Sequence, residues 1–118
     1  MDESGKEIKI ISGGVTAARG FKAASTAAGI KYKDRQDMAM IYSQEPCRSA
    51  GTFTTNVVKA APVKWDKNQV TSGEPARAVV INAGIANACT GEEGMGYCVQ
   101  TAGAAAQALG IPAECVLV

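Results

Sequence analysis

From Ala78 to Ile81 the chain runs apolar without interruption, the pattern of a strand covered on both faces, and the run stops at Asn82. Thr90, followed three residues later by Glu93, forms a capping box ahead of a helix. Met95, Cys98, Ala102, Ala105 and Leu109 then recur at steps of 3, 4, 3 and 4, which puts one buried stripe on that helix. Gly110 suits the left-handed residue that ends a helix, Pro112 forbids continuation, and Cys115–Val118 reads as a second buried strand. Strand, helix and strand over residues 77–118 predict a parallel pair with a right-handed crossover. Both strands then end at one sheet edge, where open α/β sheets bind ligands, and the loop from Asn82 to Thr90 lies on that edge.

The first half is less regular. Glu7–Ile11 alternates weakly before Gly13-Gly14 and predicts a strand running into a turn. Residues 15–30 are rich in Ala, Gly, Ser and Thr, and Gly20 and Gly29 with β-branched neighbours favour a hairpin with an irregular return over a helix. Lys31–Asp37 holds five charged residues in seven and reads as a solvated turn. Met38–Tyr42 is a short buried strand that Glu45-Pro46 breaks, and Gly51–Thr55 has the composition of a third strand ending at Asn56. Ala60–Val70 suits a short helix with Pro62 in its first turn, where a missing N–H costs nothing, and Thr71–Pro75 closes it as a loop.

Length and composition narrow the class. The 118 residues, 47% hydrophobic, suffice for one domain with a modest core, but only 5% are aromatic and small residues abound. Such a thin core, with an apolar strand ending abruptly at Val118, predicts that further sequence or a second chain completes the fold. Twelve Lys and Arg against eleven Asp and Glu leave a net charge of +1, which gives no field for nucleic acid or an anionic membrane. No run approaches the roughly eighteen apolar residues of a membrane span. The first eleven residues carry five charges and no signal-peptide core, which points to a reducing cytoplasm.

The candidate chemistry is sparse. With no His, the usual general base and the usual metal ligand are both missing. Cys47, Cys89, Cys98 and Cys115 lie 42, 9 and 17 residues apart, which forms no zinc pattern and favours buried thiols. Cys89 precedes a helix, yet no partner of a nucleophilic site accompanies it, so no catalytic cysteine is assigned. Gly91-Glu92-Glu93-Gly94-Met95-Gly96 matches no phosphate-binding spacing, and its carboxylates suit a helix dipole rather than a nucleotide. Arg19-Gly20-Phe21-Lys22 either holds a carboxylate or covers a sheet edge. The stretch Asn82-Ala83-Gly84-Ile85-Ala86-Asn87-Ala88-Cys89-Thr90-Gly91 is the most unusual, because clustered amides at a strand's carboxyl end serve either a ligand or the loop backbone.

Three blocks taken together resemble a known family: Gly14-Val15-Thr16-Ala17 with Arg19-Gly20-Phe21; Ala50-Gly51-Thr52-Phe53-Thr54-Thr55-Asn56 running on through Val57-Val58-Lys59-Ala60-Ala61-Pro62-Val63; and Ala86-Asn87-Ala88-Cys89-Thr90-Gly91. In this order they resemble the start of the ornithine acetyltransferases, the bifunctional glutamate N-acetyltransferases of arginine biosynthesis. Ile85 departs from the NxGNAN pattern of many relatives, and no ligand role is carried to it.

The resemblance implies a layered α/β sandwich like that of N-terminal-nucleophile enzymes, ending here in the strand–helix–strand unit. It makes residues 1–118 a single incomplete domain, the N-terminal part of an α chain released from a self-cleaving precursor. The partner would be the β chain of the same precursor, whose new N-terminal Thr is the nucleophile, in a heterotetramer of two α and two β chains. A terminal Thr uses its own α-amine as base, which suits a chain without His. The implied reaction moves acetyl from N-acetylornithine to that Thr and then to glutamate; acetyl-CoA is a further donor substrate in many members, and no cofactor or metal is implied. The strand that reaches Val118 would lead into a Ser-Thr-Gly oxyanion turn, so no catalytic residue falls within this chain. Asn82, Gly84 and Asn87 are the candidates to brace that turn. The competing class is a non-catalytic binding or assembly module whose Ala- and Gly-rich surfaces dock a partner.

Overall fold

The structure, a computed structural model, describes residues 7–31, 33–84 and 91–118. Met38, Met40 and Tyr42 alternate with Ala39 and Ile41 along strand β2 (Met38–Cys47), and this alternation decides which face meets the core. On one side β2 pairs antiparallel with β1 (Phe21–Thr26); on the other it pairs antiparallel with β3 (Ala76–Asn82), with Met40 opposite Val80 and Tyr42 opposite Ala78. The short strand β4 (Val116–Leu117) lies parallel to β3 and completes a sheet in the order β1-β2-β3-β4.

Helices α1 (Ala61–Ser72) and α2 (Gly91–Leu109) complete the fold. The buried stripe of α2 includes Cys98, Ala102, Ala105 and Ala106; the three alanines meet Ala78 and Val80 of β3 and Val116 of β4. Alanine at these positions lets the helix lie close to the sheet, and Trp65 of α1 fills the rim. The predicted strand–helix–strand unit is therefore present, with Gly110 left-handed at a φ of +69° directly after α2. Pro62 sits in the first turn of α1, as the spacing predicts, and the helix runs on to Ser72 before Gly73 caps it.

Four expectations are corrected. Glu7–Ile11 forms no strand: it pairs with neither open edge of the sheet, and Ile8 and Ile10 face solvent. Gly51–Thr55 is also irregular, for the Phe53 ring folds back so closely that a Cβ on Gly51 would stand 2.8 Å from its Cζ. Glu45-Pro46 does not end β2: the register shifts between Tyr42 and Cys47, and this bulge accommodates a proline that cannot donate to the ladder. Arg77 supports the bulge, donating to the carbonyls of Ser43 and Gln44 and to the Tyr42 hydroxyl while stacking over the Tyr42 ring. Finally, β3 is covered on one face only. Ala78 and Val80 are buried beneath the helices, whereas Ile81 on the other face is 45% exposed.

Candidate functional site

Because β3 and β4 are parallel, with Ala78 opposite Val116 and Val79 opposite Leu117, both run out at the same edge of the sheet. Asn82 closes β3 opposite Met38, the first residue of β2, so the turn from β1 into β2 stands on that edge too. Asn82 is exposed and Gly84 half-buried. Asn87, like Ile85, Cys89 and the Thr90 cap, lies outside the described residues.

Gly84 has a φ of +97°, a conformation that L side chains rarely adopt. A Cβ there would stand 3.0 Å from Cβ of Lys31, so the backbone leaving β3 packs directly on the β1–β2 turn. Asp37 holds that turn, although the composition of residues 31–37 predicts only solvated charge. Its side chain is 5% exposed, and its carboxylate accepts the Ala28 N–H at 2.6 Å and the Ile30 N–H at 2.8 Å. Those bonds, that from Ile30 foremost, hold the carboxyl below its ordinary pKa. The Asp37 backbone extends both ladders by one step, donating to Thr26 O and accepting from Ala83 N at 2.9 Å. The sequence carries no local signal of this, because the two donors lie nine and seven residues before Asp37, beyond the reach of short-range Asx turns and caps.

The other strand reaching the edge is gripped from α1. Trp65 Nε1 donates to Val116 O at 2.8 Å, and Asp66 Oδ1 accepts the Val118 N–H at 2.9 Å. Two neighbouring helical side chains thus satisfy backbone groups of an edge strand that no further strand covers among the described residues. Burial pushes the Asp66 carboxyl up, and the Val118 bond opposes the rise only in part.

The thiols play a different part. Cys98 and Cys115 are buried, and burial raises both; Cys98, with Asp66 nearby, reaches about 11. They are packing residues in protonated form at neutral pH. Cys47 is half-buried and donates to Ser43 Oγ. Arg19 and Lys22 are exposed around the half-buried Phe21, which begins the edge strand β1.

Residues 22–118 match the model of the ArgJ family. The arginine biosynthesis bifunctional protein ArgJ of Gloeobacter violaceus is 48% identical over 108 residues, which is 92% of this chain and 27% of that protein. Its counterpart in Symbiobacterium thermophilum is 49% identical over 106 residues, 88% of this chain and 26% of that protein. The chain thus spans about a quarter of the length of these relatives. Among solved structures, ornithine acetyltransferase from Mycobacterium tuberculosis, crystallised with ornithine, is 46% identical with a TM-score of 0.83, over 89% of this chain and 57% of that one. The ArgJ protein of Bacillus halodurans is 36% identical with a TM-score of 0.84, over 90% of this chain and 55% of that one.

Proposed function

Since the chain belongs to the ArgJ family, whose relatives are bifunctional enzymes of arginine biosynthesis, we propose that it is part of a self-cleaving acetyltransferase acting in the cytoplasm. The complete enzyme moves acetyl from N-acetylornithine to glutamate, and takes acetyl-CoA as a second donor. This chain is the N-terminal part of the α chain, and it works with the rest of α and with the β chain in a heterotetramer of two α and two β chains. The carrying observation is the parallel β3–α2–β4 unit, whose two carboxyl ends open at one edge.

The chemistry proposed for that edge is acyl transfer. A terminal Thr beyond this chain attacks the acetyl carbonyl with its own α-amine as base, ornithine leaves, and glutamate then takes the acetyl group. Continuation of β4 supplies the turn that stabilises the oxyanion, where fixed donors contribute most to the rate. Asn82 and Gly84, at the end of β3, brace that turn, and Asn87 is assigned the same role. The exposed face of the sheet, with Ile81 upon it, supports a larger assembly.

The test is expression of the full-length precursor, with intact mass and N-terminal sequencing of every chain and an assay of acetyl transfer from N-acetylornithine to glutamate. Two chains, one beginning with Thr, and active transfer are expected. A stable complex without transfer would favour the assembly module. In the same enzyme, Asn87→Ala is expected to lower kcat about tenfold with little change in KM, because the support matters mainly to the transition state. Unchanged turnover would remove Asn87 from the site.

A further inference from the structure

We propose that Asp37 is a positioning residue for the backbone that leaves β3 at the site edge, acting through the turn it clamps. The inference rests on the acetyl-transfer reading above and adds to it a residue that touches no substrate. Three observations carry it. The buried carboxylate collects two backbone N–H groups, at 2.6 and 2.8 Å, from a turn seven to nine residues earlier in the chain. Lys31, next in that turn, backs onto Gly84 so tightly that a Cβ on the glycine would stand 3.0 Å from its own Cβ. The Asp37 carbonyl meanwhile takes the Ala83 N–H at 2.9 Å. One residue therefore fixes Ala83 by its main chain and the surface packed on Gly84 by its side chain.

The chemistry of the clamp is specific to a carboxylate. Both oxygens accept, so Asp37→Asn would turn an N–H₂ group toward one of the two donors and leave that amide unsatisfied. The turn would then loosen against Gly84, and the strand end would lose its fixed direction. Misplacement of a site edge lowers kcat much more than it changes substrate affinity.

The experiment uses the full-length, processed enzyme in four forms: wild type, Asp37→Asn, Gly84→Ala and the double variant. For each, kcat is measured per active site counted by the acetyl-enzyme burst from N-acetylornithine, together with KM and deuterium uptake by the peptide spanning Ala83 and Gly84. Asp37→Asn is expected to lower kcat about tenfold with KM within about twofold, and to speed exchange at Ala83 and Gly84. The double variant should be little worse than either single one, because both changes disturb the same contact. Unchanged kcat per active site, additive losses, or a rise in KM alone would overturn the assignment. If Asp37→Asn does not fold, Asp37→Glu, which keeps both acceptor oxygens but displaces them by one methylene, decides on the same readouts. If the wild-type enzyme shows no acetyl transfer, it is the functional reading that fails, and the clamp then stands or falls on whether exchange at Ala83 and Gly84 quickens.

Discussion

Asp37 and Asp66 both accept backbone N–H groups at the same sheet edge, yet their titration has opposite sign. Asp37 has two strong donors, which favour its charged form and lower its pKa. Its contribution to stability is present above the ordinary carboxylate range, near ~4, and is lost as pH falls through the lowered folded value. Melting temperature measured against pH should therefore show Asp37→Asn less stable than wild type by roughly 5 °C at pH 7, with the gap closing in acid. A gap that persists at pH 2 would show that the charge is not what the turn uses. Asp66 has one donor and substantial burial, so its pKa rises, and its contribution diminishes as pH climbs through that raised value. Asp66→Asn keeps an oxygen for Val118 N–H without the buried charge, and its melting temperature at pH 7 should lie within about 3 °C of wild type. The thiols give a third prediction at this scale. Of Cys47, Cys98 and Cys115, a thiol reagent in native buffer should modify Cys47 first, and Cys98 only after denaturant is added. Early labelling of Cys98 would contradict the packing of α2.

At the level of elements, the parallel unit depends on how closely α2 approaches the sheet. Ala102 is fully buried among Ala78, Val80 and Val116, so there is no room for a larger side chain. Ala102→Leu should destabilise by about 1–3 kcal/mol, measured by urea unfolding of the full-length protein, since an overpacked interface must shift backbone. The two-residue strand β4 is held as much by α1 as by its ladder. Trp65→Phe keeps a six-membered aromatic ring but removes the pyrrole half of the indole with the N–H that reaches Val116 O, which should cost about 1–3 kcal/mol. Helix α2 and strand β3 were legible because each combines a clear hydrophobic pattern with a local stop such as Asn82, Gly110 or Pro112. The extent of β2 was not. Pro46 normally ends a strand, and it is tolerated here only because Arg77, from a strand distant in sequence, satisfies the carbonyls of the bulge.

Across the whole molecule, one sheet face carries both helices and the other leaves Ile81 exposed, while Ile8, Ile10 and Val57 also meet solvent. The chain spans about a quarter of its curated relatives' length, and its core is thin, built largely from alanines of α2 and short residues of β3 and β4. Local pattern alone determined the α/β class, the parallel β3–β4 pair and the edge at which both strands end, because a helix period between two apolar runs permits few topologies. The three sequence blocks added the family, and the comparisons agree. Only the tertiary structure decided that Glu7–Ile11 and Gly51–Thr55 are not strands, since a strand exists only where another edge pairs with it. It alone decided that Asp37 turns inward from a charged run. The N–H groups that draw it in lie seven and nine residues away, and no local pattern records which carboxylate will be close enough to take them.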